Sequence, residues 1–203
     1  MSEWYVVGVD TGHTGALREA DHLLLALAVE LGLREDVLGC THHVRDGRRP
    51  HTALSFAVPS ERAARAIRQR LTERGSGPGT GPGVVRGVAF AGELHGPDEL
   101  AAGAAHAAAE HTARTGGRAV LYPGADALTG AVTVARLLEV SAVDRVAVLG
   151  SPGGADPEAK LVTREHVRPE WRDGRLVLAA MPAAGGTLVP FEVPDPTPCC
   201  ADH

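Results

Sequence analysis

The order of apolar segments in residues 4–91 constrains the fold of this chain more than any other feature. The predicted strands cover residues 4–9, 37–44, 52–58 and 84–91, and the predicted helices cover 19–31 and 61–74. A strand–helix–strand–strand–helix–strand order is typical of the ferredoxin-like βαββαβ unit. We therefore expect residues 1–91 to form one unit, an antiparallel sheet with both helices on one face.

A second αβ half follows a glycine-rich segment at 75–83. Helices are predicted at 99–114 and 127–140, and strands at 118–122, 145–149, 161–163, 175–181 and 187–193. Alternating helices and strands favour parallel pairing, and Asp173-Gly174 is typical of a hairpin turn. The prediction is an α/β (α+β) protein in which residues 92–203 form a smaller αβαβ half with C-terminal strands.

Composition excludes several classes of protein. The 203 residues are 44% hydrophobic and 22% charged, which is the balance of a folded chain. No apolar run approaches the roughly 20 residues of a membrane span, and a net charge of -5 argues against nucleic acid as a partner. The three cysteines form no disulfide framework, so we expect a reduced, cytoplasmic protein.

The first strand runs into a polar loop that is a candidate catalytic site. The sequence there is Gly8-Val9-Asp10-Thr11-Gly12-His13-Thr14-Gly15. A carboxylate at the end of a buried strand, followed by small residues, can hold a divalent cation beside free backbone N–H groups. The alternative is an ordinary strand-to-helix connection in which Asp10 caps the backbone.

Two stretches carry a resemblance to a known family. They are Gly8-Val9-Asp10-Thr11 and the segment from Val44-Arg45-Asp46 to Arg49-Pro50-His51-Thr52-Ala53-Leu54. With the helix between them, they resemble the threonine/cytidine-kinase-like domain of the isoleucine-tRNA agmatinylcytidine synthetase and of related bacterial proteins with a Gly-x-Asp-Asp-Thr-Asp signature. The likeness covers about residues 5–60.

The resemblance implies a role for each matching residue. Asp10 would hold the cation, Thr11 and Thr14 would contact the phosphates of ATP, and Arg45 or Arg49 would neutralise charge. His13 and His51 would line the same catalytic site. The implied chemistry is ATP-dependent or phosphoryl-type transfer on a small-molecule substrate.

This sequence departs from the family pattern in its acids. Asp10 remains, but Thr11, Gly12 and His13 stand where the other signature residues would be, and Thr52 replaces the asparagine after His51. The synthetase's OB-fold and zinc-ribbon portions have no counterpart. Histidines such as His13, His51 or the His42-His43 pair would replace carboxylates as ligands. The metal is then Mg-like if carboxylates dominate and zinc-, copper- or iron-like if histidines do.

Two pairs of histidines remain. His42 and His43 are successive strand residues, so their side chains face opposite sides of the sheet, and we expect both to be exposed, structural residues. His106 and His111 are five apart in the predicted helix 99–114, which is neither the i+3 nor the i+4 spacing of a helical metal clamp. The expectation for His106 and His111 is a surface or packing role.

The C-terminal tail offers a second candidate metal site. It contains Cys199, Cys200 and His203. Adjacent cysteines form a disulfide only with strain, so thiolate ligation is the more natural use. The alternative is a frayed tail with exposed thiols.

The sequence leads to two functional hypotheses. The first is a metal-dependent enzyme, transferase-like, with its site at Asp10–Thr14. The second is a non-catalytic metal-binding or carrier protein that uses Cys199, Cys200 and His203. A scaffold subunit, with the Ala-rich helix 99–114 packed on a partner, is a third reading. Homo-oligomerisation stays open in all three.

Overall fold

The computed structural model describes residues 4–13, 16–33, 36–45, 49–75 and 84–193, except for the side chains of residues 13, 74 and 75. The protein is a mixed α/β structure. It divides into two compact units. Unit 1 comprises Met1–Pro123 with Glu170–Arg175, and unit 2 comprises Gly124–Pro169 with Leu176–His203.

The described chain contains four α-helices and twelve strands. The helices are α1 (Leu17–Leu31), α2 (Glu61–Gly75), α3 (Asp98–Ala113) and α4 (Val134–Val140). The strands are β1 (Tyr5–His13), β2 (Leu38–Val44), β3 (His51–Val58), β4 (Gly87–Phe90), β5 (Glu93–His95), β6 (Arg118–Leu121), β7 (Ala131–Thr133), β8 (Arg145–Val148), β9 (Lys160–Val162), β10 (Glu170–Arg172), β11 (Arg175–Ala183) and β12 (Thr187–Pro190).

The sheet of unit 1 has the strand order β5-β4-β1-β3-β2-β6-β10. Each neighbouring pair in it is antiparallel. In β3, for example, Ser55 lies opposite Gly8 of β1 on one side and opposite Cys40 of β2 on the other. This register brings the three central strands side by side.

Helices α1 and α2 cover one face of this sheet with the main hydrophobic core. Leu24 of α1 and Ile67 of α2 pack in the same cluster as Val7, Phe56 and Val88 of the sheet. Arg70 of α2 donates to the carbonyls of Glu30 and Leu31 at the end of α1. The expectation that these two helices share one face is met.

Helix α3 covers the opposite face of the sheet and packs very closely against it. A Cβ at Gly8 would overlap the carbonyl of Ala104, and one at Gly87 would overlap that of Leu100. A Cβ at Gly103 of α3 would overlap the Asp10 carboxylate. Because both faces are covered, all eight residues of β3 are buried.

Unit 2 is a smaller mixed sheet. Strand β11 pairs in parallel with β8 and antiparallel with β12, β12 pairs in parallel with β9, and β7 pairs antiparallel with β9. The expected parallel pairing is therefore present in two of these four pairs. The predicted helix 127–140 is wrong in its first half, where a 3₁₀ turn and β7 precede the seven-residue α4.

The division of the chain differs from the predicted boundary at 91/92. Helix α3 packs on β1, β3 and β4, and β6 pairs with β2, so residues 92–123 belong to unit 1. The short β5, β7 and β10 were not expected. Asp173 and Gly174 both have positive φ, as the predicted Asp-Gly turn requires. No helix in the described part of the chain has the length and apolar character needed to span a membrane.

Candidate metal centre

Three buried residues of unit 1 bring metal-ligand atoms together. Cys40 and His42 are two positions apart on β2, so both side chains point toward α3. His111 comes from the last turn of α3, on the side that faces the sheet. One donor atom from each of the three lies within 4.8 Å of the other two.

Hydrogen bonds hold both imidazoles in place. His42 Nε2 lies 2.8 Å from the Ser55 hydroxyl, and His42 Nδ1 lies 2.9 Å from Glu110 Oε2. His111 Nδ1 lies 2.7 Å from the same hydroxyl. One assignment satisfies all three contacts: His111 donates to Ser55, Ser55 donates to His42, and His42 donates to the Glu110 carboxylate. The rings therefore have fixed orientations before any ligand binds.

Burial keeps the three candidate ligands neutral. Burial lowers the pKa of His111 to about 3, helped by His42 and Arg114. Burial also lowers the pKa of His42, although Glu110 opposes this shift. Burial raises the pKa of the Cys40 thiol. His111 Nε2 offers a lone pair to a cation, His42 Nε2 would exchange its hydrogen bond with Ser55 for the cation, and the thiol must first lose its proton.

Trp171 completes the surroundings of the cluster. Its ring centroid lies 6.1 Å from that of His111, and its buried indole N–H has no hydrogen-bond partner among the described residues. The indole is nevertheless close enough to Cys40 to favour the thiolate. A thiolate accepts a hydrogen bond far better than a thiol does. The unpartnered N–H therefore fits a charged, metal-bound sulfur.

Asp10 and His51, both predicted as site residues, do lie together. Asp10 Oδ2 is 2.7 Å from His51 Nε2, Asp10 Oδ1 accepts from the Gly12 N–H at 2.7 Å, and His51 Nδ1 donates to the Arg49 carbonyl. Burial raises the pKa of Asp10. Burial alone would lower that of His51, but the bonds to Arg49 and Asp10 outweigh it and raise its pKa. The pair holds a proton between two buried side chains beneath Gly103.

The remaining predicted site residues are scattered or lie outside the described residues. The buried Thr11 hydroxyl has no hydrogen-bond partner in the described chain. The side chains of Arg45 and Arg49 are exposed. The predictions that fall outside the described residues concern the side chain of His13 and the residues Thr14, Cys199, Cys200 and His203.

Sequence reasoning missed this centre because its parts are far apart in the chain. His42 and Glu110 are separated by 68 positions. One local signal was available: Cys40-Thr41-His42 places a thiol and an imidazole on one strand face. The other ligand, His111, was assigned a packing or surface role because its spacing from His106 suits no helical clamp. The structure pairs His111 with strand residues instead.

Comparison with protein-family models, with curated proteins and with solved structures finds no match to this chain. The resemblance to the threonine/cytidine-kinase-like domain thus remains a prediction.

Proposed function

We propose that this protein binds a transition-metal ion through Cys40, His42 and His111. The observation that carries the proposal is the convergence of one thiol and two imidazoles, all buried, with their donor atoms within 4.8 Å of one another. Buried cysteine and histidine side chains that meet in this way are the usual ligands of zinc-type sites.

The donor set selects the class of metal. A thiolate with two imidazoles suits zinc, copper or cobalt, whereas magnesium prefers oxygen ligands. The sequence left a magnesium-like and a zinc-like metal open, and this set of donor atoms favours the zinc-like metal. Three protein ligands also leave a fourth position for water or substrate, which is the pattern of catalytic zinc. When bound, the metal would supply Lewis-acid chemistry at that position.

Groups around the ligands support the same proposal. Glu110 accepts the Nδ1–H of His42, which is the carboxylate–histidine arrangement that orients metal-bound imidazoles. Trp171 offers an N–H to the thiolate of Cys40. The contact between His42 of β2 and Glu110 of α3 is already made, and the Trp171 N–H of β10 is still without a partner among the described residues.

The proposal locates the metal away from Asp10, and the prediction that Asp10–His13 form a loop is wrong, because β1 continues to His13. Both Asp10 oxygens have hydrogen-bond partners, and α3 packs directly on the carboxylate. A cation there would have to displace these contacts. The Asp10–Thr14 enzyme with ATP remains a hypothesis that rests on the family resemblance. We also propose that the first unit is ferredoxin-like, supported by its antiparallel β4-β1-β3-β2 order.

Cobalt(II) titration of the metal-free protein tests the metal centre. We expect one equivalent to bind and to produce the sulfur-to-cobalt charge-transfer absorption of a thiolate ligand. Cys40→Ser should abolish that absorption, and His111→Gln should weaken binding by at least about 100-fold, because each removes a direct ligand.

A matched control is His51→Gln, which removes another buried histidine of unit 1 that lies outside the cluster. This variant should still bind one cobalt ion with the same spectrum. If Cys40→Ser binds cobalt as the unaltered protein does, with the absorption unchanged, the proposed centre is wrong.

A second candidate function rests on the same contacts. Ser55, His42 and Glu110 lie in the order and at the distances of a serine–histidine–acid triad. Ser55 is fully buried in the middle of β3, and His111 also bonds its hydroxyl, so substrate access requires α3 to move. Labelling by a fluorophosphonate that disappears in Ser55→Ala would favour this candidate over the metal centre.

A further inference from the structure

We propose that unit 1 binds a small aromatic carboxylate in a pocket beside the metal centre, with Arg114 as its anion-binding residue. The pocket lies at one end of the interface between the sheet and α3. Its lining residues are Trp4, Val6, Leu38, Ala57, His111, Thr112, Arg114 and Trp171. Neither proposal requires the other, although the pocket and the metal centre share His111 and Trp171.

The size of the pocket and its two indole walls suit a flat aromatic ring. Its volume is about 130 Å³, and a cavity of about 150 Å³ lined by apolar side chains accepts benzene. The chain has two tryptophans, at positions 4 and 171, and both line this pocket. Indole walls stack on aromatic rings with favourable geometry. A benzene-sized body therefore fits the interior.

The charge at the pocket selects an anion. Among the lining residues Arg114 carries the positive charge, with its guanidinium carbon 5.0 Å from the centre of the Trp171 ring. A planar guanidinium forms paired hydrogen bonds with a carboxylate. The pocket thus combines two indole walls with a cationic group at Arg114.

The backbone at Arg114 is strained in the way that functional positions often are. Arg114 ends α3 with φ 54° and ψ 37°, the left-handed conformation that glycine adopts most readily. The turn glycine Gly174 donates to its carbonyl at 3.1 Å. Glycine would satisfy this helix end without strain. An arginine here adds a side chain that stacks over Trp171, at a conformational cost.

Intrinsic tryptophan fluorescence provides the test, because both tryptophans line the pocket. Benzoate, benzamide and benzamidinium have similar shapes but carry charges of about -1, 0 and +1. At constant ionic strength, benzoate should change the emission saturably, with a dissociation constant on the order of 1 mM or tighter. Benzamide should bind about 10-fold more weakly, and benzamidinium more weakly still. Equal responses to all three compounds would overturn the proposal.

Two variants separate loss of the charge from loss of the fold. Arg114→Gln removes the charge and should reduce benzoate affinity to that of benzamide. Arg114→Gly should do the same while retaining a urea unfolding midpoint close to that of the unaltered protein, because glycine relieves the left-handed strain. Arg136→Gln, which removes the same charge from α4 in unit 2, should leave benzoate binding unchanged. Unchanged benzoate affinity in Arg114→Gln would reject the assigned residue.

The titration is run on both the chelator-treated and the zinc-loaded protein. Benzoate binding in the chelator-treated sample supports the pocket whether or not zinc binds to the cluster. Zinc binding without any benzoate response supports the metal centre alone and counts against the pocket. The two proposals therefore fail separately.

Discussion

At the scale of single residues, the polar groups of unit 1 are concentrated beneath α3. Cys40, His42 and Ser55 lie on this side of the sheet, as do Asp10 and His51. Each imidazole here has a hydrogen-bond partner on at least one nitrogen. Buried polar groups are tolerated in such an interface because their hydrogen bonds replace those of water. The alternation of the strands places these groups there, opposite the apolar core.

The Asp10–His51 pair makes stability depend on pH. Both pKa values are raised in the folded protein, so the folded state holds protons more tightly than the unfolded state. The stabilisation by His51 is complete below its unfolded pKa of about 6.5 and is lost as pH rises through its higher folded pKa. The raised pKa of Asp10 has the same effect: its contribution to stability is complete below its unfolded pKa of about 3.9 and is lost as pH rises through its folded pKa.

Asp10→Asn keeps the shape of the side chain and removes this dependence. Between about pH 5 and pH 8.5, the unaltered protein should lose stability relative to the variant, by at most about 1.4 kcal/mol per pH unit for each proton involved. Urea unfolding at several pH values measures the difference. Asp126→Asn, at an exposed position, controls for loss of a carboxylate. Parallel pH profiles for Asp10→Asn and the unaltered protein would show that the pair does not titrate in this range.

At the scale of elements, α3 has a sheet-facing side built from small residues. Gly103, Ala104 and Ala107 are buried along it, and His111 follows at the next position of the same face. Small side chains let the helix approach the sheet until backbone and carboxylate atoms touch. This close approach brings His111 within reach of Cys40 and His42. The distance between α3 and the sheet therefore controls the metal centre.

Gly103→Ala tests this dependence. In an exposed helix the change would stabilise the protein by about 1 kcal/mol. Here the new methyl group would overlap the Asp10 carboxylate and approach His51, so we expect a net loss of about 1–3 kcal/mol in the free energy of unfolding. Cobalt affinity should fall as well, because α3 is forced away from the sheet.

Ala102→Gly, at the exposed neighbouring position, calibrates helix propensity in the same turn. It should cost about 1 kcal/mol and leave cobalt affinity unchanged. Urea unfolding and cobalt titration measure both variants. A Gly103→Ala protein that is more stable than the unaltered one would mean that α3 packs less closely than described.

At the scale of the whole molecule, the proposed ligands all belong to unit 1. Cys40 and His42 lie in β2, and His111 lies in α3. The competing hypothesis from the sequence uses Cys199, Cys200 and His203. The two sites therefore lie in different parts of the chain, and a change in one leaves the residues of the other intact.

A chain that ends at Val193 distinguishes the two hypotheses. It lacks the three tail ligands but keeps every residue that the structure describes. We expect it to bind one zinc ion with the affinity of the full chain, measured by elemental analysis and competition with a chromogenic chelator. Loss of zinc with an unchanged circular dichroism spectrum would favour the tail site instead.

Local pattern was enough to predict most elements of residues 4–75. Apolar runs and caps are local features, so β1, β2, β3, α1 and α2 lie within a few residues of their predicted bounds. Period-two alternation also placed His42 and His43 on opposite faces. The expectation that both are exposed is confirmed for His43 and wrong for His42, which is buried. The short β5, β7 and β10 carry too few residues for a pattern to emerge.

The sequence by itself determined which side chains share a strand face, because that depends only on backbone geometry. It also placed Asp10 and His51 in one predicted site. The tertiary structure decided that α3 covers the second face of the sheet, and so that His111 meets Cys40 and His42. That choice depends on how closely Gly8 and Gly103 let two distant segments approach. Such packing between residues about 70 or more positions apart leaves no periodic trace in the sequence.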